Sequence, residues 1–380
     1  MEKSVISLIK ADSYNPEKIE KAIKKIFSDI DFDPQYFSGR KIGLKPNLLT
    51  SALPDSGIIT HPVIIEAVIR IIKKNGGMPV LIESPAFHPL ERVLKKTGLD
   101  VILERECVPT ADTKRTVSIH NESGVKFKNF QVAEELASCD MIINLPKLKT
   151  HGLTYYTGAV KNLFGTINGL EKSKWHFRAN TKEDFTSFLL DLYGAFLNGP
   201  GKKMIHIMDG ILGLEGEGPG AGGRPVMGYA LIGGTDAIAV DSIAVAVAGL
   251  NPRKVLTCIE GEKRGYGISR PEQIIIKGES LKSFNNKFRE PEPKSKMTRW
   301  PMTSSVLKNL IVEKPFPQPE KCTLCYQCRT ICPAGAISKT VNNSIPCFNY
   351  NKCIRCYCCM EICPENAIIL KKGVIGRFMR

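Results

Sequence analysis

Up to about residue 280, short apolar runs alternate with stretches whose apolar residues recur at helical spacing. Residues 4–9 read as a strand, and 16–29 as an amphipathic helix with Ile19, Ala22, Ile23 and Ile26 on one face. Lys41–Leu44 is a short strand running into Lys45-Pro46-Asn47. His61-Pro62 opens a helix to about Asn75, because proline suits a first helical turn, and Gly76-Gly77 stops it. Met78–Glu83 reads as a strand, 89–97 as a helix and the more polar 116–130 as an irregular strand pair. Met141–Leu145 has the composition of a strand buried on both faces. Beyond it come a helix at 182–197, a strand at 203–208 ending in Asp209-Gly210, a strand at 229–232, a buried helix at 237–250 and an edge strand at 273–276. This alternation predicts an α/β domain over 1–280, with a mostly parallel sheet covered by helices on both faces.

From about 281 the pattern breaks into a basic, proline-dotted stretch that reads as a linker or strap to 317. Trp300, Val306, Leu307, Leu310 and Ile311 could dock it as one apolar turn. A small α+β domain is predicted over 318–371, with Asn342-Asn343 as a hairpin turn, followed by a basic tail at 372–380.

Composition changes this picture little, but charge and cysteine content change it more. Of 380 residues, 43% are hydrophobic and 24% charged, as in globular proteins. No apolar run is long enough to span a bilayer, and Lys10 interrupts the first one, so neither a membrane span nor a secretory signal is expected. A cytoplasmic setting suits exposed thiols. The net charge of +15 suits an acidic redox partner of ferredoxin or flavodoxin type, or an anionic small molecule. Solvated surface lysine is the plainer explanation. Nucleic-acid binding is the weaker one, since no nucleic-acid fold motif is recognised.

The cysteines are concentrated near the end. Cys322-x2-Cys325-x2-Cys328-x3-Cys332-Pro333 is repeated as Cys353-x2-Cys356-x2-Cys359-x3-Cys363-Pro364, and each run is followed by Ala-Ile, at Ala336-Ile337 and Ala367-Ile368. A zinc ribbon needs two CxxC pairs rather than two quartets, each closed by Cys-Pro. The spacing resembles that of bacterial-type two-cluster ferredoxins over about 318–371 and implies two 4Fe-4S clusters. In that pattern the fourth cysteine of each run serves the other cluster. The expected ligand sets are therefore Cys322, Cys325, Cys328 and Cys363, and Cys353, Cys356, Cys359 and Cys332. Cys347 and Cys358 fall outside the spacing, while Cys107, Cys139 and Cys258 read as buried free thiols.

Ligands of open α/β sheets bind beyond the carboxyl ends of the strands. The residues expected there are Lys45 and Asn47, Glu83, then Lys147, Lys149 and His151 in a turn after Leu145, and Asp209. Lys161 and Asn162 follow closely enough to fold back over that turn. Lysines gathered in one cleft repel each other unless an anion sits between them, and crowding lowers a lysine pKa. Lys147, Lys149, His151 and Lys161 are therefore candidate catalytic residues. Lys45, Asn47, Asn162 and Asp209 are candidate cofactor-binding residues.

Asp209, Glu215, Glu217, Asp236 and Asp241 offer oxygen ligands for Mg2+ or another divalent cation, although Asp209 also suits a turn and Asp236 a helix N-cap. The glycine-rich run 216–223 could be a phosphate nest, a lid or a plain loop. His61 and His176 read as capping or surface residues.

The front turns, Lys45-Pro46-Asn47, Leu145-Pro146-Lys147-Leu148-Lys149-Thr150-His151, Lys161-Asn162-x2-Gly165, Asp209-Gly210 and Gly216-x-Gly218-Pro219, resemble the family known as domain of unknown function 362 over about 4–280. Members often carry a C-terminal ferredoxin module, but the resemblance implies no reaction. Three functions follow as expectations: a ferredoxin-linked oxidoreductase acting on an anion in the lysine-rich cleft, a non-catalytic electron carrier or cluster- or metal-delivery protein, and a nucleic-acid-binding protein with structural clusters.

Overall fold

The computed structural model describes residues 3–85, 88–179, 181–199, 203–292, 309–310, 312–340 and 345–371. The strands are β1 (Val5–Lys10), β2 (Lys41–Pro46), β3 (Met78–Leu81), β4 (Thr116–His120), β5 (Asn129–Ala133), β6 (Met141–Leu145), β7 (Lys147–His151), β8 (Tyr155–Thr157), β9 (Lys203–Gly216), β10 (Gly223–Gly234), β11 (Ile275–Gly278) and, in the C-terminal module, β12 (Lys314–Pro317), β13 (Ile337–Ser338), β14 (Cys347–Phe348) and β15 (Ile368–Lys371).

The main sheet has the order β11-β1-β10-β9-β6-β2-β3, with β7 added to β9 and β8 to β7. Pairing is parallel from β9 through β6 and β2 to β3, and between β11 and β1; β10 runs antiparallel to both its neighbours. β4 and β5 form the separate antiparallel pair expected near 116–130.

Strand side chains alternate between two cores, which is why β6 reads as apolar on both faces. Met141, Ile143 and Leu145 of β6, with Ile205 and Ile207 of β9, point to the helices Pro16–Asp29 and Pro62–Lys74. Ile142, Met204 and Met208 point the other way, to the helices Lys182–Leu197 and Ala237–Val247. The helix ends follow capping chemistry. Asn15 accepts the Lys18 amide at 3.0 Å, and His61 Nδ1 accepts the Val63 amide at 3.3 Å, each just ahead of a first-turn proline.

Two stretches differ from expectation. Lys147–His151 is not a turn but a buried strand, parallel to the far half of β9, with Lys147 opposite Asp209. β9 does not stop at 208 but runs on to Gly216, forming a long hairpin with β10 whose tip is the glycine-rich run. Cys107 is exposed rather than buried, whereas Cys139 and Cys258 are buried. The docking turn expected around Trp300, the Asn342-Asn343 turn and the basic tail lie outside the described residues.

The C-terminal module is built from two similar halves. β12 pairs with β15 and β13 with β14, and the short helices Gln327–Ile331 and Cys358–Ile362 pack into one small core with Ile337, Phe348 and Ile368. Among the described residues no helix is long and apolar enough to cross a membrane.

Candidate functional site

Because β3, β2, β6 and β9 are neighbours, their carboxyl ends bring distant polar residues onto one edge. Lys45, Asn144 and His206 lie side by side across β2, β6 and β9. Three asparagines bind this edge together. Asn162 donates to Asn144 Oδ1 at 2.7 Å and to the Lys45 carbonyl at 3.0 Å, and Asn47 donates to Asn162 Oδ1 at 3.0 Å. Asn144 also contacts His206 Nδ1 at 3.0 Å.

The five predicted lysine and histidine positions divide into three settings. Lys45 is fully buried, donating to Glu83 at 2.7 Å and to the Pro46 carbonyl at 2.7 Å; burial lowers its pKa, and Glu83 opposes the shift. Gly165 lies against this pair, and a Cβ there would fall 2.5 Å from Lys45 Nζ.

Lys147 sits in a second pocket of its own, donating to Asp209 at 2.7 Å and to Tyr14 at 3.1 Å. Tyr14 donates to the other Asp209 oxygen at 2.8 Å and stacks on His61 at 3.7 Å.

Lys149 lies between these two. It is fully buried and, among the described residues, donates only to neutral oxygens, Asn47 Oδ1 and the Ile58 carbonyl, each at 2.8 Å. Burial, with Lys161 and Lys147 as charged neighbours, lowers its pKa well below the usual lysine value. His151 accepts the Leu153 amide through Nδ1 at 3.0 Å, which leaves Nε2 to face Glu361 of the C-terminal module at 3.6 Å.

A cleft of about 680 Å³, counting its open mouth, lies between the α/β edge and the module. Lys45, Asn47, Glu83, Lys161, Asn162 and Lys172 line one side, and Ile331, Cys358 and Glu361 the other. Lys147, Lys149 and His151 are not in its lining, although Lys149 bonds Asn47 and His151 faces Glu361, which are. The Lys161 ammonium makes no hydrogen bond or ion pair to another described residue, although its carbonyl accepts the Leu163 amide. Burial lowers its pKa, and Glu361 is its chief attractive neighbour. Lys172 donates to the Ser84 carbonyl, and burial brings its pKa to about 8. His176 is not a surface residue: it is 9% exposed, stacks on Phe185 and lines the cleft. His61 does cap a helix, as expected.

The carboxylates expected to hold Mg2+ are scattered. Asp209 serves Lys147, Glu215 pairs with Arg224, Asp236 caps the helix Ala237–Val247, and Asp241 accepts the Ala159 and Val160 amides. Glu217 accepts the Glu292 amide. They do not converge. Among the described residues no group of three or more such side chains lies close enough to hold a single metal ion.

In the module, Cys322, Cys325, Cys328 and Cys363 line a second cavity of about 360 Å³. Burial raises the Cys328 and Cys363 thiol pKa values, with Cys322 and Cys325 adding to both. Cys332 and Cys359 are raised in the same way, with Cys353 and Cys356 as neighbours. Cys322, Cys325, Cys328 and Cys363 thus share one cavity, although among the described residues no group of three or more Cys, His, Asp or Glu side chains lies close enough to hold a single metal ion. In a cubane each thiolate binds its own iron, so four sulfurs around a cavity, rather than meeting at a point, suit one.

The two halves repeat the local geometry. Leu324 and Arg355, then Tyr326 and Tyr357, take left-handed φ values of 56°, 64°, 55° and 62°. Cys332 Sγ accepts the Ala336 amide and Cys363 Sγ the Ala367 amide, both at 3.2 Å. Such bonds favour the thiolate form that iron needs.

Lys172, Ser84, His176 and Glu361 escaped sequence reasoning. Glu83 and Lys161 were visible as strand-end and turn residues, but nothing in the periodicity links Glu361 to a cleft in another part of the chain. The glycine-rich run, whose role the sequence left open, is the tip that touches the module: a Cβ on Gly220 would lie 2.7 Å from the Glu361 carbonyl, and one on Gly222 3.4 Å from Asn366 Oδ1.

Comparison with known proteins agrees with this division. The thylakoid-associated protein sll1697 of Synechocystis sp. is 28% identical over 282 residues, covering 71% of this chain and 85% of that protein. The lactate racemase apoprotein structure from Thermoanaerobacterium thermosaccharolyticum aligns with 13% identity and a TM-score of 0.36, over 62% of this chain and 54% of that one. That likeness is too low to bear on fold or activity, and this chain spans about half of that structure's length. A profile described as a 4Fe-4S dicluster domain matches residues 314–364, and one described as a domain of unknown function matches 42–246. Since the latter covers more than half of the sequence, the chain belongs to the DUF362 family and carries a C-terminal 4Fe-4S dicluster domain.

Proposed function

We propose that this chain is an oxidoreductase in which a two-cluster module serves an anionic ligand held in the cleft between that module and the α/β domain. One observation carries the reading: lysines of the α/β edge and residues of the cysteine-bearing helix Cys358–Ile362 line the same cleft. Cys322, Cys325, Cys328 and Cys363 would hold one 4Fe-4S cluster, and Cys332, Cys353, Cys356 and Cys359 the other. Bound there, the clusters supply one-electron transfer.

The chain's own residues do the binding. Lys161 offers an uncommitted ammonium to a carboxylate or phosphate, while Lys45 is fixed by Glu83 and gives the floor a set shape. Lys172, with a pKa near 8, can hold or release a proton close to neutral pH. Lys149 and His151 back the cleft and tune its field. Phe164 and Ile331 supply apolar wall, so the fitting ligand is an organic anion rather than a bare ion. An acidic electron carrier of ferredoxin or flavodoxin type would be drawn to the net charge of +15, and a reducing cytoplasm would suit the exposed Cys325.

The test uses protein with clusters reconstituted without oxygen and reduced by dithionite. A panel of anionic metabolites should contain one that reoxidises it. Lys161→Met should abolish that turnover with cluster absorbance intact; unchanged turnover in the variant would remove the cleft from the mechanism.

A further inference from the structure

The module contributes one acid to the cleft lining, Glu361. Three observations bear on what it does there. Its carboxylate faces His151 Nε2 at 3.6 Å, and the Leu153 amide at Nδ1 keeps the proton on the nitrogen that faces it. It lines the same cleft as Lys161, whose ammonium makes no hydrogen bond or ion pair to another described residue, and its charge opposes the lowering of the Lys161 pKa by burial. Its backbone is held in place, because the hairpin tip packs Gly220 against the Glu361 carbonyl closely enough that a Cβ would lie 2.7 Å away.

A flexible surface glutamate would swing into solvent. This one is held by its main chain with its side chain 16% exposed, aimed at His151 of the other domain and lining the cleft that Lys161 also lines.

We propose that Glu361 is a built-in competitor: it occupies the carboxylate position beside His151 in the cleft that Lys161 lines, and a carboxylate ligand binds by displacing it. The proposal rests on the anion-binding reading of the cleft and names the group that the ligand presents there, a carboxylate. It also gives the cleft a threshold. A ligand must outbid a tethered carboxylate whose effective concentration is high because the fold holds it there. Ligands with one weak anionic group are rejected, and those that add contacts with Phe164, Leu49 or Lys172 are accepted. Displacement moves a side chain on the helix that bears Cys359 and leads into Cys363, so the cluster surroundings register that the ligand has arrived.

The test is calorimetric titration of the oxidised, cluster-loaded full chain with acetate and with inorganic phosphate. Glu361→Gln should tighten acetate binding by about tenfold or more, since it removes the rival charge from the cleft. Glu361→Asp, which draws the carboxylate back by one methylene, should give a smaller gain. Lys161→Met should abolish binding in every background. Equal acetate affinity in wild type and Glu361→Gln, with cluster absorbance intact, would overturn the competitor role and leave the anion cleft standing. Failure of both probes to bind wild type and Glu361→Gln alike would remove the anion cleft, and the competitor with it. Loss of clusters in both Glu361 variants would also overturn the proposal, by making Glu361 a support of the module.

Discussion

The α/β edge and the C-terminal module bury reactive groups in opposite ways. At the edge, two buried ammonium groups are matched inside the chain: Lys45 has Glu83 and Lys147 has Asp209, and all four residues are at most 4% exposed. In the module, burial and neighbouring thiols raise the pKa values of Cys328, Cys332, Cys359 and Cys363. Those two lysines carry their own counter-charges; the cysteines would take theirs from iron. The edge should therefore fold without iron, while the module should draw its stability from it.

The largest effect expected from this contrast is on removal of iron. Chelation should open residues 314–371 to proteolysis while the main sheet keeps its circular dichroism. Iron should fall from about eight to about four per chain in Cys328→Ser, as in any protein with two four-iron clusters. A module equally protected without iron would erase the distinction.

Next in size, Asp209→Asn should cost about 3–5 kcal/mol in denaturant unfolding, because it leaves the Lys147 charge buried and uncompensated. Replacing the pair together, Lys147→Met with Asp209→Leu, should recover most of that loss. If the double replacement is as damaging as the single one, Tyr14 and His61 depend on Asp209 for more than charge.

The pH profile should be smaller and graded. His176 and His206 are held near pKa 3 by burial, against an ordinary 6.5. Between these values the unfolded chain binds more protons than the folded one, so stability falls as pH drops from 6.5 towards 3. Asp241, raised to about 7 by burial, works the other way between pH 7 and its ordinary 3.8, because there the folded chain holds the extra proton. His206→Gln should flatten the acid limb; an unchanged limb would assign acid loss to other groups. The smallest effect is expected from Cys358→Ala, which should leave iron content unchanged, and a lost cluster would overturn the ligand assignment.

Much of this contrast could be read from the chain. The helices Pro16–Asp29 and Lys182–Leu197 match their expected limits, because amphipathic spacing and an N-cap are local signals. The cysteine spacing is equally local. β7 was hidden because Lys147 and Lys149 look like solvent-facing turn residues, and their burial depends on Asp209 and Asn47, residues far away in the chain. The cleft was half visible for the same reason. Strand-end lysines have a positional signature, whereas Lys172, His176 and Glu361 reach it only through tertiary packing.

The β9–β10 hairpin has Asp209 near its base and Gly220 at its tip, so one ribbon measures the distance from the lysine floor to the iron–sulfur module. Surface hairpins are usually where a protein tolerates insertions and deletions. This one is a gauge of fixed length. Two residues more or fewer would leave each half folded and change the gap between them, so the halves must be inherited, or engineered, as a matched set.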